Sequence, residues 1–276
     1  MKLETIAYEV ADRIAHLTLS RPERRNAINR TMLREIEQVL DAAEADDAVR
    51  VVVVSGAGQS FSSGFDLKEQ MEARPEGVET WREILARDFH ATMRFWGLRK
   101  PTIAAVRGHC LAAGFELALS CDMTVAAEDA VFGEPELKFG AGIVTLLLPW
   151  ITGPKQAKEI ILTGLDSVSA PEALRMGLVN RVVPSGEELP VALALARTIA
   201  EMDPMLVQES KRALNRSYEL MGMREALAAG LDIDLQIEGQ GSVDKRRFMD
   251  IARKDGLKAA LAWREARFLP GKRSRP

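Results

Sequence analysis

The sequence predicts an α/β fold that becomes all-helical toward its C-terminus. Three observations lead there. Residues 49–55 (VRVVVVS) are a near-continuous β-branched run, the mark of a strand covered on both faces. Strand-like runs alternate with helical periods between residues 14 and 183. Beyond Pro190 the pattern stays helical to about Phe268, with no convincing strand. The expected organisation is an α/β core over residues 1–203 and a helical region over 204–276.

In chain order, residues 14–19 suit a short strand. Met32, Leu33, Ile36, Val39, Leu40 and Ala43 then recur at the spacing of one buried helix face. The valine run stops at Gly56 and Gly58. A second strand over 102–106 is broken by Gly108, and an apolar helix over 115–121 follows Gly114. Residues 123–127 read as another buried strand, and 155–162 as a helix closed by Gly164. Ser169 and Glu172 form a capping box with Pro171 in the first turn; Gly177 stops that helix before a strand over 178–183. In the tail, Pro204, Gly222, Gly230 and a turn at 239–241 punctuate the helices, and the closing GKRSRP is expected to fray.

Composition narrows the function. At 276 residues the chain can bury a sizeable core, and a net charge of -3 offers no basic field for nucleic acid or anionic lipid. Cys110 and Cys121 are too far apart for a CxxC knuckle, and His16, His90 and His109 form no HExxH pattern, so no metal is expected. The start carries no signal-peptide pattern and no stretch is long and apolar enough to span a bilayer; the expectation is a cytoplasmic protein.

Several catalytic motifs are excluded. GxxxxGK[ST] is absent, and Phe61 stands where GxGxxG needs its third glycine. No GxSxG elbow surrounds Ser62 or Ser63. Two turns and two carboxylates remain. In Ser60 to Leu67 (SFSSGFDL) and Gly108 to Glu116 (GHCLAAGFE), small residues let backbone N–H groups face a ligand oxygen, the second turn at a helix start. Facing each other, they would make an oxyanion hole; otherwise each is an ordinary turn. Glu116, near the start of an apolar helix, and Glu136, after the turn 132–135, are either carboxyls with raised pKa suited to acid/base work or a helix-start charge and a solvated loop charge.

Residues 21–28 (RPERRNAI), 61–69 (FSSGFDLKE), 108–122 (GHCLAAGFELALSCD) and 132–140 (FGEPELKFG), in this order and spacing, resemble the crotonase, or enoyl-CoA hydratase/isomerase, superfamily. The resemblance covers nearly the whole chain. It implies a crotonase-like spiral of ββα units with a C-terminal helical region, assembled as a homotrimer or a dimer of trimers. The partner it implies is an acyl-CoA, with neither nucleic acid nor membrane. Carried over by residue, the backbone N–H groups of Phe65 and Ala113 hold the thioester oxygen. Ala27, Ile28, Ser62, Ser63, Gly64, Asp66, Leu67 and Lys68 contact CoA, with Arg24 and Lys68 as phosphate partners and Arg25 able to replace Arg24. Glu116 and Glu136 are the catalytic pair, one deprotonating water and the other protonating Cα. No redox cofactor or metal is implied, since CoA arrives as part of the substrate. The implied activity is reversible hydration of a 2-trans-enoyl-CoA; double-bond isomerisation by one carboxylate and a non-catalytic scaffold are the alternatives.

One segment departs from the family pattern. GAGIVTLLL at 140–148 replaces PGAGGTQRL, after a short deletion following Glu136, and Leu147 stands at the arginine position. The pocket shape is expected to differ there. Trp81, Phe89, Phe95 and Trp96 suit an acyl pocket or core packing, and His109 a substrate contact or a backbone-bonded turn. Lys245, Arg246, Arg247, Arg253 and Lys254 read as a solvated basic face, and Leu214, Leu220, Leu227, Leu231 and Leu235 as apolar positions buried against the core or a neighbouring subunit.

Overall fold

Asp12 and Arg13 both take positive φ (50° and 64°), turning β1 (Ile6–Ala11) back along β2 (Ile14–Leu19) as an antiparallel hairpin. Neither is a glycine or an asparagine, so the sequence pattern does not reveal β1. The computed structural model describes residues 1–268, and the closing GKRSRP lies outside the described residues.

After β2, the side chain of Asn29 accepts from Met32 N–H at 2.9 Å and starts α1 (Arg30–Ala45). β3 (Val51–Gly56) follows, then α2 (Leu67–Ala73) and α3 (Val78–Gly97), which the sequence reading left unassigned. β4 (Thr102–Val106), β5 (His109–Leu111) and α4 (Ala113–Ser120) form one ββα unit. β6 (Met123–Ala127), β7 (Val131–Gly133) and the single turn α5 (Glu136–Phe139) form the next. α6 (Leu148–Ile151), α7 (Pro154–Thr163), β8 (Val168–Ser169), α8 (Ala170–Arg175) and β9 (Arg181–Val183) complete the α/β part. The capping box at Ser169 is formed, with its N–H and hydroxyl both donating to the Glu172 carboxylate. The strand expected over 178–183 is shorter because Leu178 and Val179 bury their side chains in a loop, pinned by Asn180 N–H to the Thr124 carbonyl at 2.8 Å.

The strands make two sheets, β1-β2-β3-β4-β6-β9 and β5-β7-β8. In the larger sheet only β1 is antiparallel. The chain passes from the large sheet to the small one and into a helix twice, at β4-β5-α4 and β6-β7-α5. Single bridges Ser62↔Cys110 and Ile28↔Phe65 mark abbreviated versions of the same step after β3 and β2. Both faces of the large sheet are covered, as the valine run requires. Val52 and Val54 pack in the main core with α1, while Val51 and Val53 pack under α9 (Glu188–Ala200). Ala192, Ala196 and Ala200 recur every fourth residue there, so α9 sits close on the strands.

The tail comprises α10 (Pro204–Leu220), α11 (Met223–Gln240), α12 (Val243–Asp255) and α13 (Leu257–Phe268). Buried Lys211 anchors it to the core: its Nζ lies 2.7 Å from Asp122 and donates to the carbonyls of Phe95 and Lys100. α11 lies along α3, and α12 and α13 fold back so that Phe248 and Ala260 pack with Leu67, Met71 and Phe139. Gly239 lies inside α11 rather than in a turn, which comes at Gly241. Leu227 and Leu235 are buried as expected, but Leu214 and Leu220 are 65% and 73% exposed. Among the described residues, no helix is long and apolar enough to cross a membrane.

Candidate active site

A fully buried asparagine ties the site together. Asn26 Oδ1 accepts from Arg21 N–H at 2.9 Å, and its Nδ2 donates to the carbonyls of Ala57 and Ser60 at 2.9 and 2.7 Å. Ser62 Oγ donates back to the Asn26 carbonyl at 2.9 Å. The loop before α1 is thereby fixed to the loop after β3. One bridge further, Ile28 N–H donates to Gly64 and Asp66 N–H donates to Ile28, at 2.8 and 2.9 Å. In such a parallel bridge the intervening residue has its own N–H turned away, so the Phe65 N–H points away from Ile28.

The second turn is built against the first. Leu111 N–H donates to Ser62, and Ala112, at φ 56°, donates its N–H to Gly133 at 2.9 Å. Phe115 and Glu116 N–H groups both turn back to the Ala112 carbonyl, so the Ala113 N–H opens α4 with no intrahelical acceptor. The two backbones touch: a Cβ at Gly64 would sit 2.5 Å from Ala112 Cβ, and one at Gly114 would sit 2.7 Å from Ser62 Cβ. Glycine is the residue both positions admit.

These turns border a cavity of about 540 Å³. Arg24, Ala27, Ile28, Ser63, Phe65, Asp66, Leu67 and Lys68 line it, as do Glu116 and Glu136. Ser62 and Gly64, also expected as CoA contacts, stand behind the wall, because hydrogen bonds to Asn26, Ile28 and Leu111 hold them there. Ala113, 1% exposed, is not itself among the lining residues; its neighbours Leu111 and Ala112 are. Asp66 lies 2.8 Å from Arg21 and caps α2 by accepting from Lys68 and Glu69 N–H. Arg24, Arg25 and Lys68 remain exposed around the rim, joined by Arg264 from α13, which the sequence did not suggest and which stacks 4.2 Å from the Phe139 ring centroid.

Glu116 is not a helix-start charge in water, nor is Glu136 a solvated one. One carboxylate oxygen from each lies within 4.8 Å of the other and of Glu134. Burial pushes Glu116 up to about 7, against the pull of groups on Thr145 and Val144. Burial, then the charge of Glu116, pushes Glu136 up to about 8. Glu134, which sequence reasoning missed, is raised well above the ordinary carboxylate value by burial, then by the charges of Glu136 and Glu116. The only signal was the acid in FGEPE, and a loop acid beside proline reads as solvated. Such a trio can also hold a divalent cation, but ligation needs deprotonated carboxylates and burial here favours the protonated form.

The departing segment packs inward. Leu147 is fully buried, and Ser242 Oγ donates to the Gly140 carbonyl at 3.0 Å. Of the four aromatics, Trp81 lines the cavity, while Phe89, Phe95 and Trp96 pack in or against the core. His109 Nδ1 lies 3.4 Å from Ser60 Oγ and does not line the cavity. Lys245 corrects the expected solvated basic face: its side chain is only 12% exposed, ion-paired with Glu238, and 4.1 Å from the Trp81 ring centroid. Arg246 donates to the carbonyls ending α11 instead of facing water alone.

The sequence pattern described as enoyl-CoA hydratase/isomerase matches residues 9–249. The chain belongs to this family. Its structure resembles the crystal structure of an enoyl-CoA hydratase/isomerase from Xanthobacter autotrophicus Py2, with TM-score 0.96 and 60% identity over 97% of this chain and 100% of that one. In sequence it is 35% identical to a probable enoyl-CoA hydratase from Rhizobium meliloti (97% of this chain, 99% of the relative). It is 34% identical to the hydroxycinnamoyl-CoA hydratase-lyase of Pseudomonas fluorescens (93% and 96%). A crotonase fold is therefore established, with the C-terminal helices roofing the chain's own cavity.

The buried carboxyls make stability depend on pH. Glu116 moves from an ordinary 4.5 to about 7, so the folded protein holds this proton more tightly than the unfolded chain. Its contribution is complete below the unfolded value and is lost as pH rises through about 7. In urea unfolding, the wild type should lose about 2–3 kcal/mol relative to Glu116→Gln between pH ~4.5 and ~8. A difference that does not change with pH would show that Glu116 does not titrate in this window.

Proposed function

We propose that this chain catalyses reversible hydration of a 2-trans-enoyl-CoA to a 3-hydroxyacyl-CoA. The observation that carries the reading is that Glu116 and Glu136 line one cavity together with Phe65, Leu111 and Ala112, which belong to the two turns whose bridges leave the Phe65 and Ala113 N–H groups without an acceptor on the facing turn. Relatives named for hydration of functionalised acyl-CoAs support it, among them a mevalonyl-coenzyme A hydratase of Aspergillus fumigatus, 38% identical over 78% of this chain and 80% of the relative.

The exposed cations Arg24, Arg25 and Lys68 receive the CoA phosphates at the rim, and the thioester oxygen sits between the two N–H groups. Water lies between the carboxyls. Glu116, the more acidic of the two, takes a proton as the water oxygen bonds to Cβ; the electron pair moves to the thioester as an enolate, held by the N–H pair. Glu136, still protonated, delivers its proton to Cα. The addition changes no oxidation state and requires neither a redox cofactor nor a metal.

Glu116→Gln and Glu136→Gln should each lower kcat for crotonyl-CoA hydration by about 10²- to 10⁴-fold, read from loss of the conjugated thioester absorbance. Activity should fall below about pH 7 as Glu116 protonates and above about pH 8 as Glu136 ionises. Full activity in Glu116→Gln beside a dead Glu136→Gln would favour a one-carboxylate isomerase.

We also propose a trimeric assembly, or a dimer of trimers. Met205, Leu206, Leu220 and Met221 on and beside α10 are all more than half exposed, an apolar surface suited to a symmetric neighbour. Sedimentation should give a trimer or its multiple; an active monomer at micromolar concentration would refute the assembly.

A further inference from the structure

Three buried acids outside the Glu116, Glu134 and Glu136 cluster line the cavity. Asp88 comes from α3, and Asp234 and Glu238 come from α11; all three are at most 6% exposed, and all line the cavity. Asp88 lies 2.7 Å from Arg87, and Glu238 is ion-paired with Lys245, although its Oε2, like Lys245 Nζ, has no hydrogen-bond partner of its own among the described residues. Asp234 goes further: Lys245 is the neighbouring charge that favours its ionised form, yet neither Oδ1 nor Oδ2 has a hydrogen-bond partner among the described residues.

A buried acceptor with no donor destabilises a fold, so such a group persists where a ligand supplies what the protein does not. The surroundings are shaped to keep it there. A Cβ on Gly142 would lie 1.9 Å from Asp234 Oδ1, so any larger residue in this loop would displace the carboxylate. Gly142 belongs to the 140–148 segment in which this chain departs from the family pattern. Asp234 lines the same cavity as Glu116 and Glu136, and its charge is felt at both.

We infer that Asp234 is a specificity residue, recognising an acyl group that carries a hydrogen-bond donor, a hydroxyl or an amine, beyond the reacting carbons. Trp81 and Val144 supply the apolar wall against which the intervening carbons pack. The donor sits on the acyl group rather than on CoA, because the exposed rim suited to the CoA phosphates is cationic, whereas Asp234 is a buried acid beside Gly142.

The inference rests on the acyl-CoA reading above, and a binding measurement separates the two. Calorimetric titration would compare butyryl-CoA and hexanoyl-CoA with 4-hydroxybutyryl-CoA, 6-hydroxyhexanoyl-CoA and 6-aminohexanoyl-CoA, all saturated and so unreactive toward hydration. The wild type should bind the donor-bearing member that reaches Asp234 about 10- to 100-fold more tightly than its parent. Asp234→Leu should remove that preference while keeping or improving affinity for the parent. Asp234→Asn, which preserves the shape, should lose preference for the amine and keep part of that for the hydroxyl. Equal binding of parent and donor-bearing chains by the wild type, or a preference that survives in Asp234→Leu, would overturn the role of Asp234 alone. Failure of every acyl-CoA to bind would overturn the functional reading and this inference with it.

Discussion

Everything at the site depends on two backbone turns being in van der Waals contact. Gly64 meets Ala112, and Gly114 meets Ser62, at separations that leave no room for a Cβ. That contact is held by ladder bonds between Ser62 and the β5 strand and by the buried amide of Asn26. Once the turns touch, the N–H groups of Phe65 and Ala113 are left without an acceptor on the facing turn, with no side chain needed to place them. The cost is visible at Ala112, a non-glycine residue at φ 56°, and such strain persists only where its surroundings over-determine it.

The same geometry underlies the proposed acid/base chemistry. Glu116 follows Ala113 on α4, so the helix that offers an N–H also carries a carboxyl into the cavity. Glu136 arrives from the next ββα unit, whose β7 strand pairs with the β5 strand of the first. Two successive units of one spiral thus supply opposite walls. Burial raises both carboxyls toward neutrality, where they can exchange protons. Placing these acids in an apolar setting lowers stability above neutral pH, and that loss is inseparable from their ability to hold and release protons.

Much of this was legible in the sequence where a local rule had a single outcome. The valine run could only be a strand covered twice, and α9 and α1 cover it. Gly64, Gly108 and Gly114 marked the turns, and Glu116 stood out as an acid in an apolar helix. What was not legible depended on tertiary approach. β1 hides behind a turn of Asp12 and Arg13, and α3 mixes charges into its buried face through Asp88. Glu134 and Asp234 look like ordinary surface acids, in a proline-bearing loop and a charged helix, until the fold encloses them. Ser62 was assigned to the ligand because it lies in the right loop; its hydroxyl instead holds the loop together. Lys245 lay in a basic stretch, yet Trp81 and Glu238 enclose it.

The central claim is that two backbone N–H groups polarise a thioester carbonyl. Infrared difference spectroscopy of bound butyryl-CoA, labelled with carbon-13 at the thioester carbonyl, reads that polarisation without requiring turnover. Donation from Phe65 and Ala113 should move the carbonyl stretch to clearly lower frequency than that of the ligand free in water. A bound carbonyl at the free frequency or above it would mean that the oxygen does not sit between the two turns.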